Sequence, residues 1–120
     1  MNDKARPVGV QIEHTKTHDL TGLLDYAPAA VVSRTMYQSK IATITLFSFD
    51  QGQELSEHSA PFDAIVQVIE GRVELTIGGK VVPATSGQMV VMPAHVPHAV
   101  QAVEKFKMLL TMIREQPEVK

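Results

Sequence analysis

Three histidines lie in two segments whose composition could build one chemical site. His58 is in the segment 52–71, GQELSEHSAPFDAIVQVIEG, and His95 and His98 are in the segment 87–98, GQMVVMPAHVPH. A neutral imidazole can ligate a transition metal, transfer a proton near neutral pH or orient a bound molecule through a hydrogen bond. The residue type alone does not distinguish among these roles. We interpret the two segments, about forty residues apart, as the walls of a single pocket.

Strands must position these side chains, because short apolar runs alternate with polar residues and are separated by glycine and proline. We predict strands over the runs 30–37, 41–49, 64–69, 72–77, 80–83, 89–92, 98–103 and 106–114. Leucine and methionine would also allow a helix over 106–114, but a strand completes an even set of hairpins. Gly78-Gly79 is typical of a two-residue hairpin turn. Many short strands of this kind favour an all-β sandwich, barrel or jelly roll.

Glycine, histidine and proline positions in these segments resemble the two sequence motifs of the cupin family. The positions that match the first motif are Gly52, His58 and Gly71, and those that match the second are Gly87, Pro93 and His98. The resemblance covers about residues 31–112 and implies a small single-domain cupin. Its fold would be a jelly roll, also described as a double-stranded β-helix barrel. The family often holds a divalent metal inside this barrel.

Two of the four positions at which the resembled motifs carry metal ligands are changed. Ala60 stands where the family has its second histidine, and Ala64 stands where it has a glutamate. Only His58 and His98 keep the register. A third ligand would have to come from elsewhere, and His95 is the best candidate, because prolines on both sides fix a loop in which strand alternation does not apply. It stands where the family usually has glycine.

The predicted site therefore has fewer metal ligands than the resembled motifs provide. Its metal-ligand candidates are His58, His98 and His95, which would hold zinc, nickel, manganese or iron weakly. Further candidates for lining the pocket are Gln67, Ala60, Ala64 and Phe62. Gln67 should face away from the pocket unless a bulge changes the alternation of its strand.

Several functions are compatible with this pattern. The protein could be a metal-dependent enzyme of dioxygenase or isomerase type, a metal-free module that binds a small molecule, or an interaction protein that acts through its surface. The histidines could also be hydrogen-bonded core residues without a ligand. We favour a reduced metal or small-ligand site inside the barrel. Neither a substrate nor a catalytic residue is assigned, and whether the protein is an enzyme stays open.

Composition limits the partners. The 120 residues are 44% hydrophobic, which suits one compact domain. The net charge of −2 and the absence of a basic run argue against a nucleic-acid partner. No cysteine is present, so disulfides and thiolate ligands are excluded. We expect a cytoplasmic protein without a membrane partner, since no run resembles a signal peptide or a membrane span.

The domain organisation is predicted as an N-terminal extension over 1–20, a barrel over 21–115 and a polar tail over 116–120. Val8, Val10 and Ile12 alternate as a short edge strand would. The run 41–49 is apolar on both faces, so one face needs a cover besides the barrel interior. That cover is either the N-terminal segment or a second copy of the chain, and we expect a homodimer.

Overall fold

The computed structural model describes residues 11–114, which form nine β-strands and a 3₁₀ turn at Leu20–Gly22. The strands are β1 (Val31–Gln38), β2 (Ala42–Phe49), β3 (Glu54–His58), β4 (Asp63–Glu70), β5 (Arg72–Ile77), β6 (Lys80–Thr85), β7 (Met89–Met92), β8 (His98–Ala102) and β9 (Phe106–Ile113). The all-β prediction is confirmed, and the run 106–114 is a strand. Within the described residues, no helix is long and apolar enough to cross a membrane.

The strands form two antiparallel sheets that face each other. One sheet has five strands in the order β1-β2-β9-β4-β7, and the other has four in the order β3-β8-β5-β6. Strands that are neighbours in a sheet therefore come from distant parts of the chain, and this brings the two histidine segments together. Gly78 and Gly79 have φ values of 56° and 84° between the paired residues Ile77 and Lys80, which confirms the predicted hairpin turn.

The core lies between the sheets, where alternate residues of each strand point inward. The five-stranded sheet contributes Val66, Val68 and Met108, and the four-stranded sheet contributes Leu75 and Val100, all almost fully buried. At one end of this core the rings of Phe49 and Phe106 stack, with their centroids 4.6 Å apart. Both rings of this pair are fully buried.

The outer face of the five-stranded sheet is partly covered by residues 11–30. Ser48 Oγ donates a hydrogen bond to the carbonyl oxygen of Asp25 (2.9 Å), and Lys107 Nζ donates to that of Thr21 (2.7 Å). The backbone N–H of Ile12 donates to the carbonyl oxygen of Met36. Residues 21–25 thus cover this end of β2, whereas Ile12, in the predicted N-terminal extension, bonds β1. The predicted edge-strand residues Val8 and Val10 lie outside the described residues.

Candidate functional site

A β-bulge in β3 places His58 against His98. Leu55 pairs with Val100, but His58 pairs with His98, so the register shifts by one residue between these pairs. In a regular strand, residues three apart point to opposite faces. The extra residue reverses this alternation, and both Leu55 and His58 face the interior, where they line the same cavity.

The two imidazoles form a close pair with defined proton positions. Their ring centroids are 4.5 Å apart and the rings meet edge to face. His58 Nδ1 lies 2.9 Å from the carbonyl oxygen of Ser56, and His98 Nδ1 lies 3.2 Å from that of Val96. A carbonyl oxygen only accepts hydrogen bonds, so each Nδ1 carries a proton and donates it. In the neutral rings, each Nε2 is then an unprotonated acceptor.

The electrostatic environment favours the neutral form of His98. This side chain is buried, at 5% exposure, and lies beside a second imidazole. Burial, and to a smaller degree repulsion from His58, lower the pKa of His98 below its ordinary value. The hydrogen bond to Val96 opposes this shift without reversing it. At neutral pH, His98 is therefore an uncharged hydrogen-bond acceptor at the wall of the cavity.

The histidine pair borders a cavity of about 230 Å³ between the two sheets. Apart from these two imidazoles, every described residue that lines it is apolar: Phe47, Leu55, Ala60, Ala64, Met92, Val100, Met108, Leu110 and Met112. His58 is exposed, which places it at the mouth, while His98 is buried. At two positions of this wall, Ala60 and Ala64, the side chain is only a methyl group.

The sequence-predicted residues separate into two groups. His58, His98, Ala60 and Ala64 line the cavity together. Three others are not among its lining residues. Gln67 is exposed and borders a depression on the outer surface beside Ser86–Met89. Phe62 packs against the guanidinium of Arg114, 5.5 Å from its ring centroid. His95 is exposed in the loop between β7 and β8.

The backbone of His95, rather than its side chain, is bonded to a residue that lines the cavity. Its N–H donates to the carbonyl oxygen of Ala60 (2.7 Å), and the neighbouring N–H of Ala94 donates to Asp63 Oδ1 (2.8 Å). These bonds attach the loop to the segment that ends at β4. His95 has a φ of 69°, in the left-handed region where glycine is favoured, which explains why the resembled motif has glycine at this position.

Three methionines were missed as cavity-lining residues, because methionine most often fills the core. Met92 and Met112 pair with Ala64 from the two neighbouring strands, and Met108 lies further along β9. Partners across a sheet project to the same face, so both neighbours of Ala64 border the space above it. Strand alternation predicts which methionines share a face within one strand. Only the pairing of β4 with β7 and β9 shows that this face borders the cavity.

The donor atoms of the cavity do not fit a tightly held divalent metal. A catalytic zinc site has about three protein ligands, and this cavity offers two imidazole nitrogens. Among the described residues, no group of three histidine, aspartate or glutamate side chains is arranged to hold a metal ion. The other heteroatoms at the wall are thioether sulfurs, which suit Cu(I) rather than the zinc, nickel, manganese or iron expected from the sequence.

Comparison with known proteins agrees with the fold and the sequence motifs. The family model described as the cupin domain matches residues 45–114, more than half of the chain. A conserved protein of unknown function from Streptococcus pyogenes has 42% identity and a TM-score of 0.84, over 89% of this chain and 94% of that chain. The present protein belongs to the cupin family, as a small single-domain member.

Two further solved structures are similar. A cupin superfamily protein from Desulfitobacterium hafniense has 25% identity and a TM-score of 0.81, over 88% of this chain and 96% of that chain. An RmlC-like cupin protein from Desulfovibrio desulfuricans has 33% identity and a TM-score of 0.74, over 84% of this chain and 98% of that chain. No protein with a curated function matches the chain significantly.

Proposed function

We propose that the protein binds a small, mainly apolar organic molecule in the cavity, with His58 and His98 as its polar anchors. The observation that carries this proposal is the lining itself, in which two imidazoles are the polar groups of an otherwise apolar wall. Small-molecule sites are typically apolar clefts in which a few polar groups fix the orientation of the ligand. The mouth at His58 would give access, and the buried His98 would lie deeper along the wall.

The volume limits the size of the ligand. An engineered apolar cavity of about 150 Å³ is large enough to hold benzene. The present cavity of about 230 Å³ would therefore hold one ring with one or two small substituents. A nucleotide or a disaccharide would not fit within it. The proposed ligand class is a monocyclic molecule or an aliphatic molecule of similar size.

The proposal requires no metal. Its alternative, a metal-dependent enzyme of dioxygenase or isomerase type, needs a donor set that the cavity lining does not supply. A bound molecule would instead be oriented by hydrogen bonds to the imidazoles and desolvated by the methionine and leucine side chains. Because both Nδ1 atoms are held by the backbone, neither ring needs to rotate to receive it.

The methionines provide a direct test. Protein labelled with ¹³C at the methionine methyl groups is titrated with toluene at pH 7.5, with and without EDTA. We expect the signals of Met92, Met108 and Met112 to shift, because these residues line the cavity. Met36 and Met89 are the internal controls, since neither lines it. Equal shifts at these five of the six methionine methyl groups, or none, would reject the cavity as a binding site, and loss of binding in EDTA would reject a metal-free site.

A further inference from the structure

The hydrogen-bonding capacity of the cavity is one-sided. Each imidazole already donates its Nδ1 proton to a backbone carbonyl of its own strand region. The ring atom that remains available to a ligand is Nε2, which accepts a hydrogen bond through its lone pair. None of the other described residues that line the cavity carries an N–H or O–H in its side chain. The site therefore presents acceptors to a ligand and no side-chain donor.

Building on the proposed function, we infer that the ligand presents an uncharged hydrogen-bond donor, a hydroxyl on a single apolar ring being the best match. The donor would point at Nε2 of His98. The ring is 5% exposed, but this nitrogen is not among the buried side-chain atoms of the described residues that lack a partner, so water reaches it in the free protein. A ligand that displaces this water without supplying a donor would leave the acceptor unpaired, which is costly. His58 is exposed, and water can satisfy its acceptor at the mouth. One donor thus increases the affinity, and a second, on the adjacent ring carbon, could reach His58.

Other polar groups fit the site less well. An ether or ketone oxygen would face another acceptor and would leave His98 unpaired. A carboxylate would enter a wall that carries no lysine or arginine among its described residues, without a cation to offset its desolvation. Uncharged apolar rings without a donor would still bind through burial alone, but with lower affinity.

A series of similar ligands tests this inference on the wild-type protein. Phenol, anisole, toluene and benzoate are titrated at pH 7.5 in EDTA, with methionine-methyl shifts as the readout. We expect phenol to bind about tenfold more tightly than toluene, the effect of one well-formed hydrogen bond. Anisole should bind no better than toluene, and benzoate should bind most weakly.

His98→Leu provides the second comparison, because it removes the acceptor and keeps an apolar wall. The variant should lose the preference of phenol over toluene while still binding toluene. His95→Gln is the matched control, since this histidine does not line the cavity, and its ligand order should equal that of wild type. Folding of each variant is checked by circular dichroism, and the wild-type series decides the question if His98→Leu does not fold.

The outcomes separate the two proposals. If phenol, anisole and toluene bind equally, the donor requirement is wrong, while the apolar binding site stands. If benzoate binds best, the polar end of the cavity is cationic and the inference is also wrong. If none of the four ligands shifts the cavity methionines, the proposed function fails and the inference fails with it.

Discussion

Filling the cavity from one side is the most direct perturbation of the proposed site. Ala64 is 3% exposed, lines the cavity and lies between Met92 and Met112 on the neighbouring strands. Ala64→Leu would place three more carbon atoms in this space. Ala84→Leu is the matched control, because Ala84 is 1% exposed in the same core but does not border the cavity.

The effects of the two substitutions on the free energy of unfolding should differ in sign or at least in size. Burying three carbons contributes up to about 2.4 kcal/mol, and ordering a leucine side chain costs about 0.5–1 kcal/mol. Ala64→Leu should therefore range from neutral to about 1.9 kcal/mol more stable than wild type. Ala84→Leu overpacks a filled region and should lose about 1–3 kcal/mol. The same Ala64→Leu change should weaken toluene binding by at least about tenfold, since it occupies the ligand volume.

Urea denaturation followed by circular dichroism measures both variants. With a slope of about 2 kcal/mol per molar urea, a difference of about 2 kcal/mol separates their midpoints by about 1 M. Methionine-methyl titration with toluene measures the ligand volume independently. If Ala64→Leu is destabilised as much as Ala84→Leu, or binds toluene as wild type does, the cavity is not free volume in solution and the reasoning is refuted.

Four further predictions concern the backbone, pH, metal and assembly. Gly71→Ala should lose about 3 kcal/mol or more of stability in urea denaturation, because an added Cβ would overlap the carbonyl oxygen of Lys105. Gly52→Ala, with a similar φ and no atom within 4 Å of the added Cβ, should lose about 1 kcal/mol, and equal losses would contradict the clash. Because the pKa of His98 is lower in the folded protein, the unfolded chain protonates this imidazole more readily, and stability should fall as pH decreases through the ordinary pKa of 6.5. The urea midpoint of His98→Gln should depend less on pH in that range. Calorimetric titration with zinc, nickel, manganese or iron(II) should give at most weak binding, and any binding should be reduced in His58→Ala; undiminished binding would place the metal elsewhere. Light scattering after size exclusion should give twice 13.2 kDa for the expected homodimer, and a monomer would mean that residues 11–30 alone cover β2.

Much of the fold could be predicted because its signals are local. Alternation of apolar residues identifies the strands, and glycine pairs such as Gly78-Gly79 identify the turns. The partnership of His58 and His98 was predicted through the resemblance to cupin motifs, and the structure places the two rings in contact. Strand alternation in β4 also indicated that Gln67 faces away from Ala64, and Gln67 is exposed.

The remaining features depend on geometry that local sequence does not encode. The placement of His95 follows from the left-handed backbone of its loop, which turns the side chain toward solvent while the N–H bonds Ala60. The contribution of Met92 and Met112 follows from which strands pair with β4, a long-range property of the fold. Phe62 was named as a pocket candidate, and two residues before Ala64 it would share the face of that alanine in a regular strand. Strand β4 begins only at Asp63, so the alternation does not extend to Phe62, which packs against Arg114 instead.

The bulge between Leu55 and His58 makes the site sensitive to chain length as well as to residue type. Ser56 and Glu57 are both exposed, so substitutions there should be tolerated easily. Deleting either one would remove the bulge and leave one residue between Leu55 and His58, which is the spacing that a regular strand needs to keep both side chains on one face. The histidine would then keep its partner at His98, whereas deleting both residues would place it directly after Leu55, where neighbouring side chains of a strand point to opposite faces. Removing one of these two exposed residues should therefore preserve the histidine pair, whereas removing both should disable the site as effectively as replacing the histidine itself.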